Sequence, residues 1–262
     1  MDIREYLCDE SEKPLDRIVK DGGFTSIFRT LGCIGDSLAS GEFEIFDENG
    51  RHCVDVFGYS WGQYIARAAG LDKVYNFSRG GMTAREYCES FAEAKGFWDP
   101  EKRCQAYVIA LGCNDFSWAG ETLGTIDDIC PDDPEKNAKT FAGYYGKIIR
   151  KYKEISPFAK FFLLTFPKNG FDEEKSIAQR DLLYKIANIF TNCYVIDLYE
   201  YGPDYGGEFK ERFFMNGHMN PAGYKVTADI IMSYIDYIVR KNYKDFDTVG
   251  LFGTDVMKDR AR

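Results

Sequence analysis

Five short apolar runs, each followed by a stretch with helical spacing, constrain this chain more than any other feature. The runs are residues 28–35, 73–77, 105–111, 160–166 and 193–198. The third is unbroken in apolarity from Ala106 to Leu111, as expected of a strand covered on both faces. Helical patterns follow over 57–69, closed by Gly70 as a C-cap, and from about Thr83 to Lys95. Asp133-Pro134 is expected to open a third helix, with Phe141, Tyr144, Tyr145, Ile148 and Tyr152 on its buried face. A fourth spans about 174–190, with Ile177, Leu183, Ile186 and Phe190 on one side. Asn220 and Pro221 begin a fifth, lined by Tyr224, Ala228, Ile231, Ile235 and Ile238. Strands alternating with helices predict an α/β fold: a five-stranded parallel sheet, helices on both sides, right-handed crossovers.

At 262 residues the chain fits one large α/β domain, 1–262, with its core over about 28–240. Residues 1–23 read as an N-terminal extension packed on that core, and the tail from Asn242 to Arg262 is polar. Asn49-Gly50, between two partly alternating runs, predicts a hairpin over 42–55 that walls the region near Ser37. A net charge of −9 argues against a nucleic-acid groove, which needs clustered Lys and Arg. No apolar stretch approaches the roughly 18 to 20 residues that span a bilayer, so no membrane is expected as a partner. No basic segment followed by an apolar run opens the chain, so a cytoplasmic location is expected. Eight cysteines without any Cys-x-x-Cys pair suggest a reducing compartment and no metal. Oligomeric state is left open.

Chemistry concentrates where the strands end. Gly35-Asp36-Ser37-Leu38, Gly80-Gly81, Gly112-Cys113-Asn114-Asp115 and His218 each follow a strand or precede a capped helix. In an open α/β sheet, ligands bind outside the carboxyl ends of the strands. Acyl transfer needs a nucleophile, a base within reach and donors aimed at the developing oxyanion. Ser37 can attack and His218 can take its proton. The N–H groups of Ser37 and Gly81, with the Asn114 amide, can supply the donors. Each residue alone also has a plain structural use: Ser37 as a cap, Gly80-Gly81 as a turn, Asn114-Asp115 as a capping pair. Histidine is more telling, because the chain has only two. His52 follows the hairpin turn and reads as a solvated side chain. Cys33 and Cys113 lie beside motif residues and raise a Cys-His hydrolase as another class, although packing fits both thiols better. The aromatic side chains Phe43, Phe46, Trp61, Phe116 and Trp118 are candidates for lining a pocket or for core packing. A flavodoxin-like cofactor binder is disfavoured, since no G-x-G-x-x-G follows the first strand and no Walker lysine is present.

Taken together these four blocks, in this order, resemble the SGNH or GDSL hydrolase superfamily. They run from Gly35-Asp36-Ser37-Leu38 through Asn76-Phe-Ser-Arg-Gly-Gly81 and Gly112-Cys113-Asn114-Asp115 to His218 with Asn220-Pro-Ala-Gly-Tyr224. The resemblance spans roughly 28–240. It implies a flavodoxin-like three-layer α/β/α sandwich, no cofactor, Ser37 as nucleophile, His218 as base, and Gly81 and Asn114 as oxyanion donors. Gly81 is chosen over Gly80 because it lies five residues after Asn76 and two before Thr83, as the family pattern prefers. The implied activity is metal-independent hydrolysis of a carboxylic ester through an acyl-enzyme. A small acyl group, such as an acetyl ester on a carbohydrate, is the expected substrate. An inactive module of the same fold that binds an ester or glycan is the alternative.

One departure stands out. The family usually places an aspartate three residues before the histidine, where it orients the imidazole. Here that position is Met215. Asp197, Asp204 and Glu208 are nearby in sequence, Asn216 is too neutral to replace the charge, and a Ser-His dyad completed by a backbone carbonyl is the remaining option.

Overall fold

A computed structural model describes residues 2–130, 132–170 and 172–251, apart from the side chain of Glu5. The end of the expected polar tail, 252–262, lies outside the described residues. Strands β1 (Thr30–Gly35), β4 (Lys73–Ser78), β5 (Ala106–Ala110), β6 (Lys160–Leu164) and β7 (Cys193–Ile196) form one sheet in the order β4-β1-β5-β6-β7. All four pairings are parallel, so the expected α/β sheet is observed, with the flavodoxin-like order second-first-third-fourth-fifth. Between β1 and β4 the chain makes an antiparallel hairpin of β2 (Glu42–Asp47) and β3 (Gly50–Asp55), turning at Asn49 as expected.

The alternation of side chains along the strands divides the interior into two apolar layers. Ile34, Tyr107, Ile109, Phe161 and Leu163 enter one layer; Leu31, Cys33, Ala106, Val108 and Phe162 enter the other. Helices α2 (Phe141–Ile155) and α3 (Glu173–Ile189) cover the first layer through Tyr145, Tyr152, Leu183 and Ile186. Helices α1 (Trp61–Ala69) and α4 (Pro221–Lys241) cover the second through Trp61, Ile65, Tyr224, Ile231 and Ile235. This is a three-layer sandwich. A Cβ on Gly62 would lie 2.3 Å from the Cys33 sulfur, so glycine there lets α1 sit tightly on β1.

Three helical expectations need correction. The segment 57–69 is broken at Ser60, whose extended backbone separates a 3-10 turn (Phe57–Tyr59) from α1 and whose hydroxyl caps Gln63 N–H at 3.3 Å. Asp133-Pro134 opens only a 3-10 turn, Pro134–Lys136; the long helix starts at Phe141 because Thr140, directly before the apolar run, supplies the nearer cap. Ile177 is 38% exposed; α3 buries Leu183 and Ile186 as expected, with Gln179 and Leu182 beside them.

The N-terminal segment is tied to α4 by polar contacts. Val19 N–H donates to Ser233 Oγ (2.9 Å) and Phe24 N–H to Asp236 Oδ1 (2.8 Å). Buried Arg240 bridges Asp236 and Glu12, so its charge is paired twice where water cannot reach it.

Candidate active site

The chain reverses sharply at the end of β1. A Cβ on Gly35 would lie 2.6 Å from Ala39 Cβ and 2.8 Å from the Ala110 carbonyl, so only glycine lets the next turn fold down over β5. That turn, Ser37–Ser40, is capped by Asp36, whose Oδ1 accepts from Leu38 N–H at 3.1 Å. Ser37 is therefore held half-buried at the carboxyl edge of the sheet. Burial pushes the Asp36 carboxyl up to about 7.

The hairpin supplies the wall. Glu42 pairs with Asp55 and Glu44 with Cys53, so these four side chains project from one face. Asp55 receives the Ser40 hydroxyl and the Gly80 N–H (3.3 Å). On the opposite face Phe43 packs edge-on against Tyr59 and Tyr224.

The histidine arrives on a two-residue ladder, β8 (Phe214–Met215) with β9 (His218–Met219), closed by Asn216-Gly217. Asn216 adopts φ +61°, a left-handed conformation that asparagine tolerates. Its amide donates to the Glu44 carbonyl (3.2 Å), and Gly217 N–H donates to Glu44 Oε2 (2.8 Å). The ladder is thus docked on β2, and the serine turn packs against β9. His218 lies between two carboxylates: Nε2 is 3.0 Å from Glu42 Oε1 and Nδ1 is 3.4 Å from Glu44 Oε2. Both are ion-pair approaches rather than aligned hydrogen bonds, and Nδ1 has no hydrogen-bond partner among the described residues. The Arg51 guanidinium beside Glu44 holds that carboxyl below its usual range, helped by Gly217 N–H, so Glu44 is ionised.

The group facing His218 Nδ1 is therefore none of those nearby in sequence. Asp197 is buried against Arg180 and Tyr184 and caps Glu200 N–H. Asp204 caps Gly206 N–H, and Glu208 pairs with Arg212. Met215 is the cross-strand partner of His218. Two glutamates on the hairpin face the ring instead. Their spacing of two on a predicted strand, beside the serine, was the available signal, since it sets both on one face.

The residues expected as oxyanion donors lie at the same edge. Asn114 lies in the first turn of the short helix Cys113–Ser117 after β5. Its Oδ1 accepts from Trp118 Nε1–H (2.9 Å), which fixes the amide, and Nδ2 donates to the Met82 carbonyl (3.1 Å). That bond ties Asn114 to the loop of Gly81, whose φ of +72° needs glycine. One Nδ2 hydrogen remains for another acceptor. Ser37, Gly81, Asn114 and His218 thus belong to loops packed around one point. No hydrogen bond joins Ser37 to His218 among the described residues; Nε2 lies beside the Glu42 carboxylate instead. Catalytic hydrogen bonds often tighten only when substrate binds.

The remaining candidates have other positions. His52 pairs with Asp47 (2.9 Å) on the hairpin's outer face. Cys33 is fully buried. Cys113 is solvent-exposed, yet desolvation by the protein packed around its thiol, with Asp36 and Asp115 adding to it, pushes that thiol up to about 12. Phe116 packs on Phe141, while Phe46 and Trp118 are 61% and 65% exposed. Trp61 does line a cavity of about 70 Å³ beside the serine turn, together with Leu38, Leu111, Cys113, Leu164 and Met219.

Asp115 carries an unusual burden. Oδ1 accepts from Ala84 N–H (2.9 Å), but buried Oδ2 has no partner among the described residues, and burial pushes the carboxyl up to about 7. Between about pH 4 and 7 the folded chain keeps a proton that the unfolded chain releases, so stability falls as pH rises through that window. Asp115→Asn is expected to flatten that fall in thermal melts, leaving the part owed to Asp36. An unchanged slope would contradict the assignment.

Comparison with known proteins bears on the family and the fold. No curated protein matches the sequence. Among solved structures, the chain is similar to a family two carbohydrate esterase from Clostridium thermocellum, determined in complex with cellohexaose. The identity is 16% and the TM-score 0.57, covering 89% of this chain and 66% of that one. It is also similar to a Lactobacillus plantarum protein (15%, TM-score 0.56, covering 80% and 97%). The psychrotrophic esterase EstA from Pseudoalteromonas, inhibited by monoethylphosphonate, is a third (15%, TM-score 0.51, covering 80% and 98%). At these identities the likeness establishes the fold alone. Residues 31–231 match the family described as GDSL-like Lipase/Acylhydrolase, which takes in all four motif blocks. The chain belongs to the GDSL-like lipase/acylhydrolase family and is an ester-hydrolysing enzyme.

Proposed function

We propose that this enzyme is a serine esterase that removes a small acyl group, such as acetyl, from a carbohydrate through an acyl-enzyme. The observation that carries the reading is the convergence of the Ser37 turn, the Gly81 loop, Asn114 and a carboxylate-flanked His218 at one edge of the sheet. Ser37 Oγ attacks the ester carbonyl, and His218 Nε2, released from Glu42 as substrate enters, takes the hydroxyl proton. The Ser37 and Gly81 N–H groups and the free Asn114 hydrogen receive the oxyanion. His218 then protonates the departing alcohol, and water repeats the sequence to free the acid. Glu44 positions the ring from Nδ1 and balances the charge it gains, the part an aspartate at position 215 would play.

The cavity beside the serine turn supports a short acyl group. It is a small cavity of about 70 Å³ with largely apolar walls, Leu38, Trp61, Leu164 and Met219 among them, which favours a short acyl group over a long chain. The carbohydrate side rests on the likeness to an esterase bound to cellohexaose. Hydrolysis of p-nitrophenyl acetate is expected to exceed that of the octanoate in kcat/KM by about tenfold or more, since a chain too long for the cavity must push its walls aside, and such overpacking costs about 1–3 kcal/mol. Equal or better turnover of octanoate would refute the short-acyl assignment.

A further inference from the structure

The inner face of the hairpin holds more donor chemistry than ester hydrolysis uses. Glu42, Cys53 and His218 each place one ligand atom within 4.8 Å of the other two. They come from β2, β3 and β9, three separate strands. Sulfur, imidazole nitrogen and carboxylate oxygen together suit a borderline-soft divalent ion of tetrahedral preference, and poorly suit magnesium or calcium. Glu42 is buried, while exposed Cys53 gives an entry path from solvent. The outer shell is also present. Glu44, held by Arg51 and Gly217, faces His218 Nδ1, the carboxylate–histidine relay that commonly orients a metal-bound imidazole.

We propose that Glu42, Cys53 and His218 form a zinc site and that zinc bound there switches the esterase off. The inhibitory half rests on His218 being the base; the binding half does not. On binding, the Cys53 S–H bond breaks, its proton passes to solvent, and the sulfur lone pair binds the ion. His218 gives its Nε2 lone pair and keeps its proton on Nδ1, toward Glu44. Glu42 supplies the third bond. One thiolate and one carboxylate neutralise the dication, and the fourth tetrahedral position stays open for water. With Nε2 occupied, the ring cannot accept the Ser37 proton, so zinc and catalysis exclude each other.

The test is titration of the reduced full chain, stripped of metal by chelator, with zinc alone, followed by calorimetry. Wild type and Ser37→Ala are expected to take up one zinc per chain with equal affinity. Loss of an outer-shell partner costs about 10–100-fold in metal affinity, and loss of a ligand at least as much. Cys53→Ser is therefore expected to bind about tenfold more weakly or worse. Cobalt in place of zinc is expected to give a thiolate-to-metal charge-transfer band in wild type that Cys53→Ser lacks. Zinc is expected to stop hydrolysis of p-nitrophenyl acetate by wild type, reversibly with chelator, and to spare Cys53→Ser, whose basal rate stays unchanged. Absence of stoichiometric zinc uptake, or uptake and a cobalt band unchanged in Cys53→Ser, would overturn the site. Uptake without inhibition would overturn the switch. If neither wild type nor Cys53→Ser hydrolyses the ester but zinc uptake behaves as described, the esterase reading fails while the metal site stands.

Discussion

Replacing Ser37 with alanine is expected to lower kcat for p-nitrophenyl acetate by about 10³-fold or more, with a melting temperature close to wild type. Loss of the nucleophile in a serine hydrolase costs about 10⁶ in kcat, the residual rate coming from the oxyanion donors and binding. The fold should tolerate the change. Ser37 is half-buried, its side chain makes no hydrogen bond among the described residues, and Asp36 does the capping of the turn. Steady-state kinetics beside a thermal melt checks both statements. Equal rates in the two proteins would remove Ser37 from the mechanism. A lost rate accompanied by a collapsed melt would say that the turn, rather than the hydroxyl, had been damaged.

The second large effect concerns Glu44. Glu44→Gln is expected to lower kcat by about 10²-fold or more while KM changes little. An amide in place of a triad carboxylate has cost about 10⁴ where it leaves the imidazole in the wrong tautomer. Here the 3.4 Å approach is looser than a hydrogen bond, so a smaller loss is expected. The amide oxygen of the substituted side chain can still accept from Gly217 N–H, so the ladder stays docked and the charge alone is removed. A purely structural role would spare the rate and leave the pH–rate profile where it was. The positioning role predicts a displaced acidic limb and partial recovery in Glu44→Asp. Adding Met215→Asp to Glu44→Gln should also restore part of the rate, because position 215 is the cross-strand neighbour of His218.

Much of this architecture is legible in the residues themselves. Five apolar runs became the five sheet strands because a strand buried on both faces leaves little room for polar residues. Asn49-Gly50 marked the hairpin, although the two-residue loop is Glu48-Asn49 and Gly50 already pairs with Asp47. What could not be read was competition among local signals and contact across distance. Asp133-Pro134 and Thr140 are both sound caps, and only packing of Phe141 against Phe116 and its neighbours decides which one starts the helix. Ile177 fits the helical spacing yet faces solvent, because α3 rotates to bury Gln179 and Leu182. Glu44 lies 173 residues before Gly217, so no local pattern around the histidine could reveal it. No acid close by along the chain faces the imidazole; the hairpin brings Glu44 to within 3.4 Å of Nδ1 through space.

The most direct measurement is covalent labelling of the enzyme with a fluorophosphonate, followed by peptide mass spectrometry. Such a reagent forms a stable adduct on an activated serine and leaves an unactivated hydroxyl alone. One adduct per chain is expected, on the peptide carrying Ser37. It should be absent in Ser37→Ala and slow to form in Glu44→Gln. An adduct on Cys113 or on any other serine, or none while the ester is still hydrolysed, would contradict the Ser37–His218–Glu44 account.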